Sequence, residues 1–132
     1  MPTNDGCKSE DGAKNVLIVD DDPLVIKAMD LLMSKAGFRP IVCANGTDAL
    51  HHAKRELAAA IIDIHLPDIN GLELSQQLRD RIGPTTPIII LSGDNSMEII
   101  RALPKTGANY FFSKPVNATA LIERLKEWAT GR

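Results

Sequence analysis

The sequence has little cysteine, little net charge and no long apolar run, and each shortage removes a class of protein. Cys7 and Cys43 are the only two cysteines in 132 residues. One lies in a polar N-terminal stretch and the other in an apolar context. That is too few for a disulfide framework and shows no metal-ligand spacing, so both are expected to be reduced thiols. A formal net charge of −2, with Lys and Arg spread along the chain, leaves no basic footprint, and no direct contact with nucleic acid is expected. No stretch approaches the roughly 20 apolar residues a membrane span needs, so no membrane segment is expected either. Residues 1–14 have no apolar run and read as a disordered leader, not a signal peptide, which implies the cytoplasm. The remainder, residues 15–130, fits one domain with one core.

What is present is a regular alternation. Asn15 to Val19 is a short β-rich run ending in Asp20-Asp21-Asp22-Pro23, and Pro suits the first turn of a helix. Leu24, Ile26, Ala28, Leu31, Leu32 and Lys35 are read as the inward stripe of that helix, which Gly37 stops. Ile41 to Cys43 predicts a second strand, and Asn45 caps a helix carrying Ala49, Leu50, Ala53 and Leu57 inward. Ala59 to Asp63 is a run of small and β-branched residues, the pattern of a strand buried on both faces, and it breaks at Pro67 and Gly71. Leu72, Leu74, Ser75, Leu78 and Ile82 then recur at helical intervals up to Gly83-Pro84. Ile88 to Leu91 is a further buried strand. A short helix over about 96–103 is stopped by Pro104 and is the element expected to be most mobile. Tyr110 to Phe112 forms a fifth strand, and Asn117 caps a last helix with Leu121, Ile122, Leu125 and Trp128 on one stripe.

Five strands alternating with five helices require parallel strands, right-handed crossovers and helices on both faces, a three-layer α/β/α sandwich. Five such units favour a doubly wound, flavodoxin-like sheet of order 2-1-3-4-5. In that order Asp20, Asp21 and Asp63 converge where the strand order reverses. Three carboxylates so close repel unless a cation neutralises them, and all-oxygen ligands with room for water point to Mg2+ or Mn2+. Strands 4 and 5 bring Ser92 and Lys114 to the same edge. Alone, each of these residues reads as a cap or turn. Together, two acids, a metal, a hydroxyl and an ammonium around Asp63 are the parts for phosphoryl transfer onto that carboxylate.

The pieces Val19-Asp20-Asp21-Asp22-Pro23, Asp63 to Gly71, Leu91-Ser92-Gly93 and Ser113-Lys114-Pro115, in this order, resemble the receiver domain of two-component response regulators. The resemblance implies that Asp63 accepts a phosphoryl group from a histidine kinase or histidine phosphotransfer protein. It implies that Asp21, Asp63 and the His65 backbone carbonyl hold Mg2+, with Asp20 acting through water. It makes Ser92 and Lys114 the contacts to the phosphoryl oxygens and gives the Lys114-Pro115 peptide a cis bond. By alignment Phe111 holds the place of an aromatic that rotates when the hydroxyl residue moves, and the face of helix 4, strand 5 and helix 5 is the expected readout and homodimer surface. His65 and Asp94, each two residues beyond a site residue, stand where they can admit or exclude water.

On this reading the chain is a signalling switch that promotes only its own phosphorylation and dephosphorylation, not an enzyme in the usual sense. The alternative is a Mg2+-dependent phosphatase of the haloacid-dehalogenase type, which also uses an Asp nucleophile. That type wants an acid two residues on, where this chain has His65. A flavodoxin proper would need a Ser/Thr/Gly-rich phosphate cradle after the first strand, where this chain has acids.

Overall fold

In the computed structural model, which describes residues 15–53, 57–93, 97–114 and 117–130, five parallel strands form one sheet of order β2-β1-β3-β4-β5. The strands are β1 (Asn15–Val19), β2 (Arg39–Cys43), β3 (Ala59–Asp63), β4 (Ile88–Ser92) and β5 (Tyr110–Ser113). The helices are α1 (Pro23–Lys35), α2 (Gly46–His52), α3 (Gly71–Ile82), α4 (Met97–Ala102) and α5 (Ala118–Thr130). The expected doubly wound order is therefore the observed one. The 1–14 leader with Cys7, Asp94, and the Lys114–Pro115 peptide bond lie outside the described residues.

Strand alternation divides the core in two. Leu17, Val19, Ala60, Ile62, Ile88 and Ile90 face a layer with Ala49 of α2 and Leu74, Leu78 and Ile82 of α3. Val16, Ile18, Ala59, Ile61, Ile89 and Leu91 face Met29 and Met33 of α1 and Leu121 and Leu125 of α5. A parallel sheet covered on both faces needs apolar side chains at every central position, which is why β3 and β4 read as unbroken apolar runs. Pro40 lies in β2, an edge strand, where a missing N–H is tolerated.

Three details depart from the sequence reading. The inward stripe of α1 is Val25, Met29 and Met33, continued by the C-cap Ala36, not the one drawn through Leu24, Ile26, Ala28, Leu31, Leu32 and Lys35. Leu24 is 78% exposed and Leu31 58% exposed. Both stripes have helical spacing, and only the position of the sheet decides which is buried. Leu57 is not on α2, which ends at His52. It is buried on the approach to β3. Leu103 does not extend α4 but starts a 3-10 turn, Leu103–Thr106, with Pro104 in its first turn, the position where a missing N–H is harmless.

The corrected stripe makes a prediction. Met33→Ala should lower stability by about 2–5 kcal/mol as a buried side chain is lost. Leu24→Ala should change it by less than about 0.5 kcal/mol, as surface replacements do. Urea unfolding of both variants checks this, and equal effects would contradict the assignment.

Candidate functional site

The strand order and register bring the acids together. Asp63 ends β3 and pairs across to Leu91, one residue before Ser92, while Ser92 pairs with Ser113, one residue before Lys114. The Lys114 amide donates to the Ser92 carbonyl at 2.8 Å, which fixes where that lysine leaves the sheet. β1 runs beside β3, so the acidic loop after Val19 opens next to Asp63.

The three acids of that loop have different roles. Asp22 is the N-cap of α1, its carboxylate accepting from the Leu24 amide at 3.0 Å. Asp20 is buried. One of its oxygens accepts from the Asp22 amide at 2.9 Å and the other takes the Lys114 ammonium at 3.0 Å. Asp21 is exposed, and it offers an oxygen in a group with Asp20 and Asp63 whose atoms lie within 4.8 Å of one another. Lys114 also reaches Asp63, Nζ to Oδ1 3.4 Å.

Burial pushes the Asp63 carboxyl above its ordinary value, and the Asp20 charge adds to the shift. The Lys114 ammonium and the His65 backbone amide offset this only in part. Burial works against the Lys114 ammonium, but the hydrogen bond and charge of Asp20, followed by Asp63, outweigh it and hold its pKa above the ordinary lysine value. Three carboxylates against one ammonium leave a net −2 when all are ionised. That is the charge of one divalent cation, and an all-carboxylate donor set with an exposed member open to water suits a hard ion. Among the described residues these acids are the one group able to hold a metal.

Asp20, Asp21, Asp63, Ser92 and Lys114 lie at this edge, whereas Phe111 sits further back in β5, paired with Ile90. Ser92 is fully buried at the end of β4. His65 has an exposed side chain, and its backbone pairs with Asn70 in an isolated antiparallel bridge. Gly71 closes the base of that loop. Its amide donates to the Ile64 carbonyl at 2.8 Å, and a Cβ there would strike the Asp63 carbonyl oxygen. Phe111 is half-buried and packs on the α2–α3 side of the sheet. Asp68, inside the Pro67 to Gly71 turn, is not among the residues singled out by sequence, yet its carboxylate binds backbone amides of α2. Its partners lie 21 and 22 residues upstream, so no local pattern reveals the contact.

A parallel five-stranded α/β domain with three acids and one lysine at its switch point is the class of a phosphoacceptor domain. Residues 16–126 match the family model of the response regulator receiver domain, and the chain belongs to that family. It is 35% identical over 119 residues to the sensory/regulatory protein RpfC of Xanthomonas campestris, a match covering 86% of this chain and 16% of that protein. It is 25% identical over 118 residues to the CAI-1 autoinducer sensor kinase/phosphatase CqsS of Vibrio cholerae, covering 87% of this chain and 17% of that one. The chain thus spans about a sixth of the length of these curated relatives. A CheY-like receiver domain protein from Methanospirillum hungatei superposes with a TM-score of 0.82 at 29% identity, covering 89% of this chain and 94% of its own. These relationships support a phosphoacceptor receiver and do not favour the haloacid-dehalogenase type.

The raised Asp63 pKa fixes a sign. The folded chain binds this proton more tightly than the unfolded chain, so its stability falls as pH rises above the ordinary value of 3.8. Metal-free Asp63→Asn should therefore melt higher than wild type at neutral pH, and the gap should close below that value. Adding Mg2+ should raise the Tm of the wild type and leave the variant nearly unchanged. Thermal unfolding followed by circular dichroism checks both, and a variant no more stable at neutral pH would contradict the sign.

Proposed function

We propose that residues 15–130 act as a receiver unit in which Asp63 takes a phosphoryl group from a histidine kinase or histidine phosphotransfer protein in a Mg2+-dependent reaction. The observation that carries this reading is the Lys114 ammonium lying 3.0 Å from Asp20 and 3.4 Å from Asp63 at the end of the sheet. An Asp63 oxygen forms the bond to phosphorus as the donor's P–N bond breaks, and the electron pair leaves on the imidazole. Asp20, Asp21, Asp63 and the His65 carbonyl are the groups that would hold the ion. Held there, Mg2+ would supply positive charge for phosphoryl oxygens at an acidic site. Lys114 pairs with one phosphoryl oxygen, and the Ser92 hydroxyl takes another by hydrogen bond.

The donor reaches Asp63 past α1. Exposed Leu24 and Leu31 lie on that helix, and a groove of about 510 Å3 lined by Val25, Ala28, Leu32 and Ala118 runs up to Lys114. An apolar helix face beside the reacting carboxylate suits a helical partner carrying the phosphohistidine.

Phosphorylation adds about −1.5 to −2 charges and three acceptor oxygens at one edge. Ser92 and Phe111 are the residues proposed to carry that change to the face of α4, β5 and α5, the readout and self-association surface. That face carries Tyr110 stacked on Trp128, with ring centroids 4.5 Å apart and Arg124 over the Tyr110 ring at 5.8 Å. Its setting is the cytoplasm. No described helix is long and apolar enough to cross a membrane.

Incubation with acetyl phosphate and Mg2+ should add one phosphoryl group per chain, read by intact mass. Asp63→Asn should abolish the gain. Many turnovers of acetyl phosphate without a stable adduct would instead favour a phosphatase. His65→Ala should shorten the lifetime of the adduct by admitting water to the acyl phosphate, and an unchanged half-life would remove His65 from that role.

A further inference from the structure

The loop between β3 and α3 carries the His65 carbonyl, and its far end is tied down by a residue with no part in the chemistry. Asp68 reaches across to the start of α2. One carboxylate oxygen accepts from the Gly46 amide at 2.9 Å, and the other accepts from the Thr47 amide at 2.9 Å and the Thr47 hydroxyl at 2.6 Å. Beside this contact Ile69 packs so closely on Gly46 that a Cβ there would strike its Cγ2. These hydrogen bonds, the Thr47 hydroxyl first, hold the Asp68 carboxyl down at about 2, so the acceptor is charged at any ordinary pH and its bonds are of the stronger, charge-assisted kind.

The segment it grips also braces the opposite wall of the pocket. Cys43, two residues before the Asn45 cap of α2, accepts the Asp20 amide on its carbonyl at 3.1 Å. The backbones of Asp20 and of the His65 loop are thus both registered against one corner, residues 43–47. From the other side, the His65–Asn70 bridge and the tight approach of Gly71 to Asp63 carry the position of the loop tip to the loop base. Asp68 thus sits inside a short loop whose two ends, His65 and Asn70, are paired with each other.

We propose that Asp68 is a positioning residue for the phosphorylation site, holding the β3–α3 loop so that the His65 carbonyl stays within reach of the ion. The proposal rests on the metal reading above. Without the carboxylate the loop tip is released from α2, the carbonyl samples positions away from the ion, and metal affinity falls while the reacting groups are unchanged. At saturating Mg2+ the carbonyl is drawn back, so the maximal rate of phosphorylation recovers.

The test is calorimetric titration of the full chain with Mg2+, alongside initial rates of phosphorylation by acetyl phosphate over a range of Mg2+, for wild type, Asp68→Ala, Asp68→Asn and Thr47→Val. Asp68→Ala should weaken Mg2+ binding by about tenfold, the lower end of what loss of a group supporting a metal ligand causes. Its rate at saturating Mg2+ should match wild type. Asp68→Asn, which keeps one acceptor oxygen, and Thr47→Val, which removes one donor, should fall between. Gln76→Ala, which removes a hydrogen bond to the Lys105 carbonyl far along the chain, reports the effect of lost stability alone and should leave Mg2+ affinity unchanged. Unchanged Mg2+ affinity in Asp68→Ala overturns the proposal, as does an equal loss in Gln76→Ala. If Asp68→Ala does not fold, unchanged affinity in both Asp68→Asn and Thr47→Val overturns it. Failure of the wild type to bind Mg2+ or to be phosphorylated at Asp63 would instead reject the underlying metal reading.

Discussion

A single ammonium, that of Lys114, stands between two carboxylates from different strands, and the site could not persist in this form without it. Asp20 and Asp63 are both buried, and burial alone pushes the Asp63 carboxyl toward its neutral form. Lysine is suited to this place because its charge is compact and its stem long enough to reach in from the last strand of the sheet. The pairing leaves negative charge uncompensated, and on the proposed reading a cation supplies the balance and, through it, a place for a phosphoryl group. Reactivity here is stored as electrostatic imbalance in a fold that is otherwise rigid.

The sheet supplies the rigidity. Alternation along β1, β3 and β4 buries one set of residues under α1 and α5 and the other under α2 and α3, and the buried acids Asp20 and Asp63 and the hydroxyl of Ser92 lie at the carboxyl ends of these strands. Side chains at those ends inherit the register of the strands below them. Where a loop must be held closely, glycine permits the approach, Gly71 against the Asp63 backbone and Gly46 against the Ile69 side chain.

Most of this was legible in the residues. The buried β3 and β4 runs, the caps Asn45 and Asn117, and the positions of Asp20, Asp63, Ser92 and Lys114 at strand ends follow from local chemistry, and the strand order joins them. The errors arose where local patterns were degenerate. α1 carries two apolar stripes, and choosing Met29 and Met33 over Leu24 and Leu31 requires knowing where the sheet lies. α2 has no glycine or proline to mark its end, so by pattern alone Leu57 reads as part of a helix that stops at His52. Asp68 was passed over because its partners are distant in sequence and close only in the folded chain.

If the three acids form one metal-binding group, Asp21 is the member whose replacement reports it most directly. It is exposed and lies beyond the end of β1, so its replacement leaves the sheet in place. The deciding measurement is the Mg2+ stoichiometry and affinity of wild type and Asp21→Asn at neutral pH, by calorimetry. One ion per wild-type chain, with binding weakened by about tenfold or more in the variant, is the predicted result. Wild-type chains that bind no Mg2+, or a variant that binds it equally well, would contradict the account.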